Sequence, residues 1–111
     1  MPRGRIGGSG GSGVVSDSSL LLLTSLAEGP KHGYALIRDI EHFAGVELGP
    51  GTLYGALNRL EEMGLVEKLP EEDRRRPYRI TPSGEKVLEA QLRNAARVVA
   101  TGELRLQLRR A

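Results

Sequence analysis

Leu53, Leu57 and Leu60 return at helical spacing after Pro50, while Thr52, Asn58, Arg59 and Glu62 fall off that seam. This pattern predicts a short helix with one buried leucine stripe and one polar, partly cationic face. Pro50 suits its first turn, where a missing N–H costs nothing, and Gly64 stops it. Upstream, a cluster of N-caps at Ser16, Asp17, Ser18 and Ser19 precedes a helix over Ser18 to Ala27. Its run Leu20 to Leu23 and Leu26 put apolar groups on most sides, as in a helix surrounded by its neighbours. Glu28-Gly29-Pro30 ends it. A second helix is expected from about Lys31–Gly33 to Phe43, with Leu36, Ile37, Ile40, Phe43 and Ala44 inward and Arg38, Asp39 and Glu41 outward. Gly45 to Gly49 reads as a loop, with Val46 to Leu48 open to a short extended piece.

The period then changes. Leu65 to Leu69 alternates and reads as a strand, Pro70 to Arg76 as a charged turn, and Pro77 to Ile80 as the returning strand of a hairpin. Thr81-Pro82 is a cap followed by a first-turn proline, opening a last helix. Leu88, Leu92, Ala95 and Val99 recur there at steps of four, three and four, the narrow seam of a helix packing on another helix. Gly102 is a candidate break, and Leu104, Leu106 and Leu108 read either as more helix or as a loose end. Three helices, a two-stranded wing and a long final helix make a mainly α winged helix-turn-helix. The expected organisation is a Gly/Ser-rich tail at 1–16, a DNA-binding domain at 17–82 and a C-terminal dimerisation helix at 83–111.

Composition narrows the chemistry. With four aromatic residues, aliphatic side chains carry the core of this 111-residue chain. The absence of cysteine excludes disulfides, thiolate metal sites and cysteine nucleophiles. The longest apolar run is far short of a membrane span, and no signal-peptide core is visible, so the chain is expected to be cytoplasmic. No nucleophile–base pair or paired-histidine motif is present, and the glycine-rich tail follows no strand. No enzyme activity, cofactor or metal is expected.

The net charge of +2 hides a division. Residues 17–73 carry four lysines and arginines against eleven acidic residues, and 74–111 carry ten against three. The basic part fits a polyanion or an acidic partner, and the competing reading is a match of acidic and basic halves within the chain or between subunits. Arg3 and Arg5 ahead of the tail leave a DNA-touching arm as an alternative to plain disorder.

Four blocks in register resemble the PadR-like transcriptional regulators over roughly Leu20 to Leu92. They are Leu20-Leu21-Leu22-Leu23 with Glu28-Gly29-Pro30-Lys31-His32-Gly33-Tyr34, then Pro50-Gly51-Thr52-Leu53-Tyr54 with Ala56-Leu57 and Arg59-Leu60-Glu61-Glu62, then Gly64-Leu65-Val66, and Arg76-Pro77-Tyr78-Arg79-Ile80-Thr81-Pro82-Ser83-Gly84. The chain departs from the family at Gly49, where serine is frequent, at Gly55, where proline is, and in having one strand aromatic, Tyr78, instead of two. The short C-terminal region resembles the compact subfamily with a single dimerisation helix.

The resemblance implies a homodimeric transcriptional regulator, a ligand-responsive repressor that binds double-stranded DNA, with a small-molecule effector near the dimer interface. In such a fold the recognition helix reads bases through Thr52, Tyr54, Asn58 and Arg59. Tyr54 is open between core and contact, and Arg59 between DNA and an ion pair with Glu62 or Asp39. Arg74, Arg75 and Arg76 at the wing tip, with Arg79, are expected to neutralise phosphates, against a reading as a solvated turn. Lys31, His32 and Tyr34 are expected beside the DNA backbone. Leu88, Leu92, Ala95 and Val99 are expected at the dimer interface, against packing within the monomer. Two recognition helices would then lie about 34 Å apart on a near-palindromic operator. A winged-helix protein-interaction module without specific DNA binding is the alternative function.

Overall fold

The computed structural model describes residues 17–111, so the readings on the 1–16 tail, Arg3 and Arg5 lie outside the described residues. The elements run α1 (Asp17–Leu26), β1 (Lys31–His32), α2 (Gly33–Ala44), α3 (Pro50–Glu62), β2 (Val66–Lys68), β3 (Pro77–Ile80) and α4 (Pro82–Arg110). They form a mainly helical fold with a small antiparallel sheet.

Helix α1 lies at the centre, touching α2, α3, α4 and β3. Leu22, Leu23 and Leu26 are fully covered, and Ser19 and Ser25 are buried with them. Leu36 and Ile40 of α2 and Leu53, Ala56, Leu57 and Leu60 of α3 complete the helical core, and Leu65, Val66, Tyr78, Ile80 and Leu88 close it from the sheet and α4.

The ends of the helices are set by local hydrogen bonding. The C-terminus of α2 is closed by Gly45 at φ 68°, whose N–H reaches the Glu41 carbonyl. Helix α3 ends with Gly64 at φ 77°. The Gly64 N–H donates to the Glu61 carbonyl and the Leu65 N–H to the Leu60 carbonyl, each at 2.9 Å. That pair of bonds satisfies the last turn and redirects the chain into β2. Thr81 joins two elements: its hydroxyl donates to the Gly64 carbonyl at 2.7 Å and accepts from the Gly84 N–H at 3.0 Å.

The sheet differs from the expected hairpin. It has three strands in the order β1-β3-β2, with Val66 opposite Ile80, Lys68 opposite Tyr78, and Lys31 opposite Tyr78 on the other edge. Lys31 and His32 were expected at the start of the second helix. Two residues are too few for an alternation to show, and their extended form comes from pairing with distant β3. Val46 to Leu48 forms no strand.

Three further expectations along the helices also change. Phe43 stands 44% exposed at the end of α2. Gly102 does not break α4, which runs unbroken for 29 residues, about 43 Å of helix. Leu88, expected to face a partner, is buried in the chain's own core. The first turns of α4 rest on the body, and from Leu92 onward the helix stands clear. Leu92, Val98, Val99, Leu104, Leu106 and Leu108 are all largely exposed there. No helix among the described residues is long and apolar enough to cross a membrane.

Candidate nucleic-acid interface

Helix α3 turns its leucine stripe inward and leaves Thr52, Asn58 and Arg59 exposed. Its start is bare. Gly49 caps it without a side-chain bond, and a Cβ at Gly49 or Gly51 would meet nothing within 4 Å. Backbone N–H groups of the first turn, which have no intrahelical acceptor, are thus sterically open to an anion. Among the described residues Arg59 pairs with neither Glu62 nor Asp39.

Tyr54 falls on the margin of this face. It is 45% exposed, and its hydroxyl lies over Gly33 at the start of α2, where a Cβ would overlap it. Gly33 therefore lets the beginnings of α2 and the flank of α3 approach each other. One residue on, Tyr34 stands 61% exposed, with the Arg38 guanidinium 5.6 Å from its ring centroid. Arg38 was expected outside α2 but not as part of the site. The four-residue spacing of an aromatic and an arginine on one helix was the available signal.

The basic residues divide into free and committed. The Lys31 side chain is largely buried, and its ammonium bonds the Ser25 carbonyl, with Glu28 at 2.6 Å and Asp39 at 3.7 Å. Ser25 donates to the same Asp39 carboxylate at 2.6 Å. Lys31 thus ties α1 to α2 through its ammonium. Arg79 is paired across the strands with Glu67, its Nε donating at 2.9 Å, which offsets the charge it was expected to offer phosphates. Lys68 lies 3.7 Å from Glu61.

The wing tip is tighter than the charged turn expected. Glu72 and Arg75 exchange both backbone hydrogen bonds, at 2.7 and 2.8 Å, around Asp73 at φ 49° and Arg74 at φ 66°. Two left-handed central residues are what a type I′ hairpin turn requires. Among the described residues Arg74 has no hydrogen bond or ion pair. Arg75 Nη1 lies 3.1 Å from His32 Nε2, and Arg76 donates to the Leu69 carbonyl at 3.1 Å. Between the wing tip and β1 a cleft of about 640 Å³ opens, with His32 and Arg75 in its lining. In β3, burial pushes the Tyr78 hydroxyl above its ordinary pKa; Tyr54 and Glu61 add to that and Arg76 opposes it.

The junction His32-Gly33-Tyr34 therefore connects the parts. Arg75 reaches it from the wing and Tyr54 from α3. Exposed hydrogen-bonding groups on a helix, flanked by arginines on a hairpin, can contact base edges on one side and phosphates on the other. No cluster suited to a metal ion occurs among the described residues.

Residues 22–90 match the sequence profile of the transcriptional regulator PadR-like family. An uncharacterized 37.1 kDa protein in transposon TN4556 of Streptomyces fradiae is 48% identical over 84 residues, 76% of this chain and 24% of that protein. A transcriptional regulator from Mycobacterium tuberculosis is 36% identical over 72 residues, 62% of this chain and 66% of its own length. The chain thus spans only part of the length of these relatives. Its fold resembles the crystal structure of a PadR family transcription regulator from Clostridium difficile, with a TM-score of 0.75 over 82% of this chain and 99% of the other. Identity to that protein is 21%, so the likeness concerns the fold, a winged helix.

Proposed function

The chain belongs to the PadR-like family of transcriptional regulators, and from that premise we propose that it binds double-stranded DNA as a homodimer and represses transcription by occupying a near-palindromic operator. The observation that carries this reading is the junction at His32-Gly33-Tyr34, which α3 touches through Tyr54 and the wing through Arg75. It assembles an exposed helix face and a basic hairpin around one short segment.

In this reading Asn58 and Arg59 read base edges, Asn to adenine and Arg to guanine, while Thr52 and the open start of α3 hold a phosphate. Arg74, the wing cation without a partner among the described residues, supplies salt-dependent affinity, with Arg75 and Arg76 beside it. Tyr34 and Arg38 approach the backbone from α2. The second protomer docks along the exposed part of α4, and a small-molecule effector acts by changing how the two halves sit. The acidic body favours a second reading, a protein-interaction module in which the same fold makes no groove contacts.

Fluorescence anisotropy with the DNA upstream of the chain's own gene, titrated with salt, tests these readings. The expected result is tighter binding to that DNA than to random duplex, with affinity falling steeply as salt rises. Absence of binding at low salt, or equal affinity for random duplex, overturns the specific-regulator reading.

A further inference from the structure

A neutral imidazole has one nitrogen that accepts a hydrogen bond and one that donates. His32 is faced by a donor at each. Nδ1 receives the Ala35 N–H at 3.4 Å, which caps α2, and Nε2 lies 3.1 Å from Arg75 Nη1. Backbone N–H and guanidinium are donors only. With the ring proton on Nε2, the cap is kept and two donors point at each other. With the proton on Nδ1, Arg75 is satisfied and the Ala35 N–H loses its acceptor. No neutral form satisfies all three groups, and a protonated ring satisfies neither contact.

An oxygen anion at the mouth of the cleft removes the conflict. Nε2–H and the guanidinium both donate to it, while Nδ1 stays on the Ala35 N–H. The geometry points to a clasp in which His32 and Arg75 together hold a single oxyanion. Glu72 and Asp73 line the same cleft, so a singly charged ligand is favoured over a multiply charged one. Lys31 also lines it, but its ammonium is occupied by Ser25, Glu28 and Asp39. A DNA phosphodiester and a small-molecule carboxylate both fit this chemistry. The first source rests on the DNA-binding reading above and adds the ligand atom that these two residues share. The second would let a metabolite draw Arg75 toward the cleft.

The test is NMR of the His32 ring in the full chain, identified by comparison with His42→Gln and titrated separately with dimethyl phosphate, acetate and a DNA duplex. A saturable shift of the His32 ring, with its proton on Nε2, is expected for at least one of the three. Arg75→Gln should weaken that binding about tenfold, the loss of one charged hydrogen bond. A response to dimethyl phosphate and duplex but not acetate assigns the clasp to the DNA backbone, whereas a response to acetate assigns it to carboxylates as well. No shift with any of them, or an equal shift in Arg75→Gln, overturns the clasp. Anisotropy on the same samples separates the two proposals. A duplex that binds without moving His32 assigns the phosphodiester elsewhere, and if acetate and dimethyl phosphate also leave the ring unmoved the clasp is overturned while the regulator reading stands. A duplex that fails to bind overturns the regulator reading, and the two small anions still decide the clasp.

Discussion

The Tyr54 hydroxyl lies over the backbone of Gly33 so closely that a Cβ at residue 33 would overlap it, with the ring carbon Cζ at 2.8 Å. The contact sets the spacing of α2 and α3 on the candidate DNA-binding face. Gly33→Ala is expected to displace the Tyr54 ring and cost about 1–3 kcal/mol, the range for overpacking a filled contact. Because the obstacle is one side chain, Tyr54→Ala in the same background should relieve part of that cost. A double-mutant cycle in urea measures the coupling, and strictly additive losses would show that this contact does not set the helix spacing.

Gly84 meets a harder obstacle. A Cβ there would overlap the Leu65 carbonyl oxygen and sit 2.8 Å from Ile80 Cγ1. That carbonyl already accepts the Thr81 N–H at 3.0 Å, so it belongs to the linkage between α3 and α4 and has no side-chain torsion through which to yield. Gly84→Ala is expected to cost at least about 3 kcal/mol, more than Gly33→Ala. Thermal melts of the two variants compare them directly, and a smaller loss at Gly84 contradicts the argument.

Periodicity made the four helices and the two wing strands legible because each buries a face that repeats along its own sequence. Thr81-Pro82 and Gly64 marked ends because capping is local chemistry. What stayed hidden depends on distant partners. β1 exists only by pairing with β3, and the inward turn of Lys31 needs Asp39 and the Ser25 carbonyl beside it. The same holds for the candidate site. The residue types on α3 and the wing were visible, but the pairing of Arg79 with Glu67, the approach of Arg75 to His32 and the stacking of Arg38 on Tyr34 were not. Leu88 continues the α4 seam in sequence, and only the proximity of α1 and the sheet makes it part of the core.

Arg74 holds φ 66° at the wing tip, a conformation that costs a non-glycine residue roughly 1 kcal/mol. Arg74→Gly removes that cost and also removes a wing cation that has no partner among the described residues. Its two effects should therefore oppose each other. The melting temperature should rise, while the slope of log affinity for DNA against log salt should fall by about one. A variant that melts higher and keeps the full salt slope would place the phosphate contact elsewhere.

Burial raises the Tyr78 pKa, with Tyr54 and Glu61 adding to it. The sign follows from the neutral form being favoured in the folded chain. This contribution is intact below the unfolded value of about 10 and is lost as pH rises through the higher folded value. Stability should decline above about pH 10, and Tyr78→Phe should flatten that decline. Urea unfolding across the alkaline range reads the difference between the two curves, and parallel curves would show that Tyr78 does not titrate with unfolding.

Beyond the body of the protein, Leu92, Ala95, Val99, Gly102 and Leu106 continue along α4 at alternating steps of three and four, the seam of one helix against another. Leu92, Val99 and Leu106 are exposed in the single chain, so a second copy of α4 has apolar surface to cover. Truncation after Gly84 would be a poor probe, since it also removes Leu88 from the core. Val99→Glu with Leu106→Glu places two charges on the seam and leaves the core untouched. The expected outcome is a monomeric mass by sedimentation, an unchanged far-UV spectrum in the body of the fold, and weaker DNA binding, because each protomer then engages a half-site without the other. A dimeric mass in this variant would move the interface off the seam.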